Sequence, residues 1–472
     1  MKDNCCAPRG DFDLAVIGAG SAGFSAAITA AEGGKRVALI GHGTIGGTCV
    51  NAGCVPSKTM IRAAEAVHGA KSAHRFPGLH GDAQVADWAA LIRAKDDLVA
   101  TLRQKKYIDL LPYYDGVTYL DKGPAHLIEG GVEVGGRRLT APKIIVATGA
   151  RPATPDIPGL LDMPTLDSTT LLALERLPES LIFLGGGYIG VELAQMMARM
   201  ATRVTIVCRS RLLPRTEPEV SEALTEVLRA EGVTIPDRVT YKAARRDGDR
   251  GVLAVTVDGA ARDLSADHLV LATARAPNTE GLGLVEIGVE TDTRGAIRVG
   301  ADMQTTRPFA AGDVTDRDQF VYMASYGAKL AARNAVLGNA ERYDSTAMPW
   351  VVFTDPQVAG VGLTEAQARA VSPEIRTSVL ALENVPRALA ARDTRGLIKL
   401  VADAGTDRLL GGVVMAPEAA DSVQTLAMAS KFGMTTRELG ETIFPYLTTV
   451  EGLKLAAQTL DRDLAKLSCC GG

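Results

Sequence analysis

One pattern occurs twice in this chain, and it restricts the possible folds more than any other feature. In "DLAVIGAGSAGFSAAITAAEGGKRVALIG", Leu14 to Ile17 reads as a buried strand, Gly18, Gly20 and Gly23 form G-x-G-x-x-G, an alanine-rich helix follows, and Arg36 to Ile40 reads as a second strand. The glycines permit a tight turn and a close backbone approach, and the helix N-terminus then offers free N–H groups to a pyrophosphate. The second copy, "SLIFLGGGYIGVELAQMMARMATRVTIVCRSRLLPR", repeats strand, glycine turn (Gly185, Gly187, Gly190), helix and strand in the same order. A single such turn is a weak signal. Two in strand–helix context imply an α/β chain with two Rossmann-like domains and two dinucleotides.

The copies differ at the end of their second strands. An acid there would hold a ribose 2′-hydroxyl, but the second copy has Cys208 followed by Arg209, Ser210, Arg211 and later Arg215. Arginines in place of an acid suit a 2′-phosphate, which favours NADP(H) over NAD(H); a solvated basic turn is the alternative. In the first copy Gly41 stands where the acid is expected, which leaves that ribose contact open. Between the copies, "VTYLDKGPAHLIEGGVEVGGRRLTAPKIIVATGARP" has the short strands and glycine turns of a β-meander ending in Ala147 to Ala150. A parallel echo, "HLVLATARAPNT", closes the second copy at His268 to Thr279. From about Ala347 onward, strands in "RGLIKLVADAGTDRLLGGVVM" and a helix in "EAADSVQTLAMASKFG" predict a separate α+β domain.

Composition excludes several classes of partner. A net charge of -4 from 51 basic and 55 acidic residues carries no electrostatic footprint for nucleic acid or anionic lipid. "MKDNCCAPRG" lacks the apolar stretch of a secretory signal, and no apolar run approaches the roughly 20 residues needed to span a bilayer, so a cytoplasmic protein without membrane insertion is expected. The seven cysteines (5, 6, 49, 54, 208, 469 and 470) are too few for a disulfide scaffold in 472 residues, and in a reducing compartment paired cysteines bind metal or do redox work. In "GGTCVNAGCVPSK", Cys49 and Cys54 follow Gly46 and Gly47. A helix beginning near Thr48 would leave both sulfurs reachable from one side, and its dipole would lower a thiol pKa. Taken alone, C-x4-C also fits half a zinc site or a pair of core cysteines.

That stretch, with "GGGYIGVELA", "AAGDV" and "VVFTDPQVAGVGLTEAQA", resembles the pyridine nucleotide-disulfide oxidoreductases, flavoproteins such as glutathione reductase and dihydrolipoamide dehydrogenase, over almost the whole chain. The resemblance implies FAD and NADPH. After a short segment 1–10, residues 11–150 and 280–346 would form the FAD-binding domain, 151–279 the NADPH-binding domain, and 347–472 a dimerisation domain. Gly18, Gly20 and Gly23 would hold the FAD pyrophosphate, with Gly47, Thr148 and Gly149 against the same cofactor and Thr48 and Lys58 along its phosphate and isoalloxazine. Ala125 would meet the adenine, Asp313 the ribityl chain, and the helix beginning near Val321 would aim its positive end at the flavin. Lys58 and Glu192 would pair beside the flavin, Tyr188 would gate the nicotinamide pocket, and Cys49 and Cys54 would be the redox pair, with Cys54 nearer the flavin. NADPH would lie on Gly185, Gly187 and Gly190, with its phosphate on Arg209 and Arg215. "TTRPFAAGDV" is shorter than the family's usual approach to its Gly-Asp.

Disulfide reductases of this family carry a His-Pro motif and a glutamate in the last domain, the histidine protonating the departing thiolate. Here "IFPYLTTVEGLKLA" puts Phe444 in the histidine's place, with Tyr446 and Glu451 beyond it, so an ordinary disulfide is a poor substrate. The helix suggested by "GLKLAAQTLDRDLAKL" leads to Cys469 and Cys470. Adjacent Cα atoms, about 3.8 Å apart, disfavour a relaxed disulfide, but two thiolates offer soft ligands to a soft metal ion. These departures resemble the mercury(II)-reducing branch of the family. That implies NADPH-dependent reduction of Hg(II) to volatile Hg(0) through FAD, with the metal on Cys49, Cys54, Cys469 and Cys470. It also implies a homodimer in which the tail of one subunit feeds the Cys49–Cys54 pair of the other, with Tyr446 and Tyr107 along the path or serving as ordinary interface packing. No N-terminal C-x-x-C metal-binding domain is expected. Cys5 and Cys6 read as a leftover rather than an extra metal collector, and Cys208 as a core residue. The rival readings are a flavin-dependent reductase of a disulfide or quinone-like acceptor and a non-catalytic soft-metal thiol-binding protein.

Overall fold

The computed structural model describes residues 10–338, 340–372 and 374–466. The first glycine turn belongs to a five-stranded parallel sheet ordered Phe309–Ala310, Ile144–Val146, Leu14–Ile17, Val37–Gly41 and Val117–Asp121. "LAVI" and "VALIG" are buried at every position, the continuous apolar run required of a strand covered on both faces. On one face the helix Ser21–Glu32 packs against the helix Val321–Ala332, where Ser25 Oγ lies 2.7 Å from Ser325 Oγ, and buried alanines are frequent on both, Ala22, Ala26 and Ala30 on one and Ala324, Ala328 and Ala331 on the other. The small side chains let the two helices approach closely. Leu14–Ile17 lies between Val37–Gly41 and Ile144–Val146, so its carboxyl end is a topological switch point, where a doubly wound sheet opens a crevice.

The second turn sits in a four-stranded parallel sheet ordered Arg203–Val207, Ser180–Leu184, His268–Leu271 and Leu166–Asp167. The expected meander is shorter than its glycine spacing suggests. Only Ala125–Ile128, Gly131–Val134 and Arg137–Thr140 form an antiparallel sheet, while Val117–Asp121 and Ile144–Val146 on either side return to the parallel one. The two echoes, Ala150–Pro152 and Arg275–Pro277, pair with each other antiparallel and join the two glycine-turn units.

The last unit is a five-stranded antiparallel sheet ordered Trp350–Val352, Gln357–Gly362, Leu409–Ala416, Leu397–Asp403 and Ile375–Ala381, packed with the helices Ala419–Lys431 and Glu451–Gln458. The latter ends earlier than its sequence suggests, at Gln458, and just beyond that end the Arg376 guanidinium donates to the Leu460 carbonyl at 2.9 Å. A buried ion cluster ties this unit to the helix Tyr188–Arg199: Arg199 pairs with Glu231 at 2.7 Å and Asp355 at 2.8 Å, and Arg395 reaches both carboxylates. Among the described residues no helix is long and apolar enough to cross a membrane.

Candidate active site

The crevice at the switch point is a cleft of about 1030 Å³ lined from all three units. Gly18, at φ +117°, bends where any side chain would run into the Ala147 carbonyl, and Gly47, at φ +67°, abuts Gly20 so closely that a β-carbon would stand 2.7 Å from its Cα. Backbone from two loops therefore reaches the cleft unshielded, the surface a pyrophosphate requires. Gly23 lies beneath, pressed against the Gly18 carbonyl, and serves helix–strand packing. Gly47, Thr48, Lys58, Ala125, Thr148, Gly149, Asp313 and Val321 all line the same cleft. Val321 is the first residue of its helix, and Gly312 turns the short approach at φ +78°, delivering Asp313 to the wall. The Asp313 carboxylate has no hydrogen-bond partner among the described residues, and burial pushes its pKa up. An orphaned acceptor beside an exposed glycine backbone fits a polyhydroxylated dinucleotide.

The two cysteines do not share a helix. Cys49 lies within the short helix Gly47–Asn51, the chain breaks at Ala52 and Gly53, and Cys54 opens the helix Cys54–Lys71. Gly53 packs over Thr48 and Cys49, where a β-carbon would come within 2.9 Å of the Thr48 carbonyl, so the break folds the second helix back over the first. Asn51 fixes the loop by donating to the carbonyls of Ile45 and Gly47 at 2.9 and 2.8 Å, and Arg103 holds Asn51 at 3.0 Å. The Cys49 thiol hydrogen-bonds the Cys54 sulfur, and this contact is the main reason the Cys54 pKa falls to about 7, with Lys58 assisting against burial. The same bond, with burial, pushes the Cys49 thiol up. The pair thus rests as one thiolate and one thiol.

Lys58 stands one turn after Cys54, and its Nζ lies 2.5 Å from Glu192 Oε2. Glu192 is only 6% exposed and also accepts from the Phe353 N–H at 2.9 Å, so the pair is fixed from two sides. Tyr188 begins the second glycine helix and stacks on Trp350, with centroids 5.7 Å apart, beside Phe320. Its burial pushes its pKa to about 12.

The remaining expected residues lie outside the cleft. Gly185 repeats the Gly18 arrangement, at φ +113° against the Ala272 carbonyl, and Gly190 backs onto Gly185 while Gly187 caps the helix. Arg209 and Arg215 are exposed without ion pairs among the described residues, whereas Arg211 is held by the Thr216 carbonyl at 2.6 Å. Buried Cys208 donates to the Ser210 carbonyl beneath that turn. The Tyr107 hydroxyl lies 3.2 Å from Ser21 Oγ, a cleft residue, and Phe24 meets its ring edge-on at 4.9 Å. Tyr446 is 55% exposed on the last unit and does not line this cleft. Phe444 packs against the core of that unit, and Glu451 is buried, accepting from the Leu447 N–H at 3.0 Å. Cys469 and Cys470, like Cys5 and Cys6, lie outside the described residues.

Sequence reasoning missed Arg275. It lines the cleft, donates to the Ala150 carbonyl, and carries its charge close to Asp313 and Cys54, while burial lowers its pKa. Its one signal is an arginine in the otherwise uncharged echo "ATARAP".

Residues 12–331 match the family model for pyridine nucleotide-disulphide oxidoreductases, and residues 348–457 match that family's dimerisation domain. A mercuric reductase from Streptomyces lividans is 46% identical over 98% of both chains, and one from Bacillus cereus is 46% identical over 98% of this chain and 73% of its own. Among solved structures, the HOCl-induced flavoprotein disulfide reductase RclA from Escherichia coli superposes with a TM-score of 0.83 at 32% identity, over 95% of this chain and all of that one. The chain therefore belongs to the pyridine nucleotide-disulphide oxidoreductase family, in its mercuric reductase branch.

Proposed function

We propose that this protein reduces Hg(II) to Hg(0) at the expense of NADPH, as a cytoplasmic mercury-detoxifying enzyme. The observation that carries the reading is a hydrogen-bonded cysteine pair in a dinucleotide cleft to which the last unit brings no histidine. All six histidines of the sequence lie at or before His268, so the last unit, where a disulfide reductase keeps its imidazole, has none. Reduction of a metal ion needs no such proton. The balance is NADPH + Hg²⁺ → NADP⁺ + H⁺ + Hg(0), and the sulfurs leave the metal as thiolates.

When bound, FAD supplies the hydride acceptor for NADPH and the two-electron donor to the metal. The chain's own residues do the rest. Cys54, already a thiolate near neutral pH, is the first ligand, and Cys49 becomes the second by losing its proton as the soft cation binds. Lys58 sets positive charge beside Cys54, and Glu192 holds Lys58 in place. Asp313, Gly18, Gly20, Gly47, Thr48, Ala125, Thr148 and Gly149 would hold FAD, and Gly185, Gly187, Gly190, Arg209 and Arg215 would hold NADPH, with Tyr188 as the gate between them. We take residues 11–150 and 280–346, 151–279 and 347–472 as the FAD, NADPH and dimerisation domains. The match of residues 348–457 to the family's dimerisation domain supports a homodimer. In that dimer Cys469 and Cys470 would collect thiol-bound Hg(II) and pass it to Cys49 and Cys54 of the other subunit, past Tyr446 and Tyr107.

The test is anaerobic NADPH oxidation with Hg(II) in excess thiol, trapping volatile mercury, beside a parallel run with disulfide acceptors. One Hg(0) per NADPH with inert disulfides is the expected outcome. Brisk disulfide turnover without Hg(0) would overturn the assignment.

A further inference from the structure

Gly41 ends the strand Val37–Gly41 and lines the cleft at the point where this kind of turn ordinarily places an acid for the ribose. The space its side chain would take is already filled. A β-carbon on Gly41 would stand 2.5 Å from the Tyr119 hydroxyl oxygen and 2.8 Å from its ring. Tyr119 comes from the neighbouring parallel strand, where Leu39 pairs with Tyr119 and Gly41 with Asp121, so Tyr119 starts two residues back and reaches forward along the sheet to cover Gly41. Its hydroxyl has no hydrogen-bond partner among the described residues. Burial and nearby Asp121 raise its pKa, so it stays a neutral phenol able both to donate and to accept.

We infer that the Tyr119 hydroxyl replaces the missing acid as the hydrogen-bonding partner of the adenosine ribose, and that residue 41 is glycine because any side chain would displace that phenol. The inference rests on the cleft being the FAD site. A neutral hydroxyl lacks the charge assistance of a carboxylate, so this contact is the weaker of the two solutions to the same problem.

Flavin-stripped protein can be titrated with FAD and with an FAD analogue lacking both adenosine ribose hydroxyls, following flavin fluorescence. Tyr119→Phe should raise the dissociation constant for FAD about fivefold to tenfold, while wild type and variant bind the analogue equally. Gly41→Glu should bind FAD poorly, and Gly41→Glu combined with Tyr119→Ala should recover affinity, because the acid then occupies the vacated place. Equal FAD affinity of wild type and Tyr119→Phe would overturn the inference. So would an equal loss for FAD and analogue, which would make Tyr119 a packing residue. Failure of the wild-type protein to bind either ligand would refute the FAD reading itself, a result separable from both.

Discussion

The two glycine-turn units are built alike and end differently. In both, a positive-φ glycine lies against a carbonyl of the following echo, Ala147 in one and Ala272 in the other. In both, the second strand is in parallel register with the first, Ile17 with Ile40 and Leu184 with Val207, which makes Gly41 and Cys208 equivalent positions. Beyond that point the first unit runs through Gly46 and Gly47 into the two cysteines and walls a deep cleft, while the second opens to solvent with Arg209 and Arg215. The shared part suits a pyrophosphate; the strand ends and the loops after them decide which dinucleotide binds and whether it stays.

The sharpest break between the units is the redox pair. Cys54→Ser should lower Hg(II)-dependent NADPH oxidation by roughly a thousandfold or more, since serine is a poor ligand for a soft cation, and Hg(0) trapping checks it. Retained activity would mean that the pair beyond the first unit is incidental. The same pair gives a pH signature. Cys54 is held below its ordinary thiol value, so its thiolate contributes stability in full above about pH 9, and that contribution is lost as pH falls through about 7. Alkylation of the reduced protein by iodoacetamide should therefore rise with a midpoint near pH 7. A midpoint near 9 would mean that Cys49 does not hydrogen-bond Cys54.

A smaller effect belongs to the contact that joins the two units. Glu192 comes from the second glycine helix and Lys58 from the cysteine helix, so Glu192→Gln keeps the shape and removes the charge that anchors Lys58. Flavin reduction by NADPH in stopped flow should slow by about tenfold to a hundredfold, with little change in NADPH affinity. An effect on affinity alone would make the ion pair a structural clamp.

Much of this arrangement is legible in the sequence because it depends on short-range spacing. The glycine turns, the apolar strands beside them, and Lys58 one turn from Cys54 all arise from local periodicity. The features that escape a sequence reading depend on residues far apart in the chain. Nothing in "CVNAGC" announces that Gly53 must pack on Thr48 and split the cysteines between two helices. Arg103 steadies Asn51 from another helix, Tyr119 fills the space over Gly41 from the next strand, and Arg376 holds the Leu460 carbonyl just past the end of the helix Glu451–Gln458. The meander is shorter than expected for the same reason, since Val117–Asp121 at its start pairs instead with the distant strand Val37–Gly41.

The arginine turn tests the open end of the second unit. Arg209→Ala and Arg215→Ala should each raise the KM for NADPH by about tenfold while leaving NADH nearly unchanged, because each removes a charge-assisted contact to a 2′-phosphate that NADH lacks. Equal losses with both nucleotides would make the turn a general electrostatic feature.

The smallest effect is expected at Cys208, and it bears most directly on the comparison. Cys208 occupies the place of Gly41, yet its side chain points inward and donates to the Ser210 carbonyl at 2.8 Å, whereas Gly41 lines the cleft and leaves its side-chain space to Tyr119. Cys208→Ser preserves a donor of similar size, so the KM values for NADPH and NADH should stay within about twofold and stability should fall by less than about 1 kcal/mol in thermal unfolding. A tenfold change in NADPH binding would mean that the second unit also reads its ribose from the strand end. The basic turn would then supplement that contact instead of replacing it, and the two units would differ in strength but not in kind.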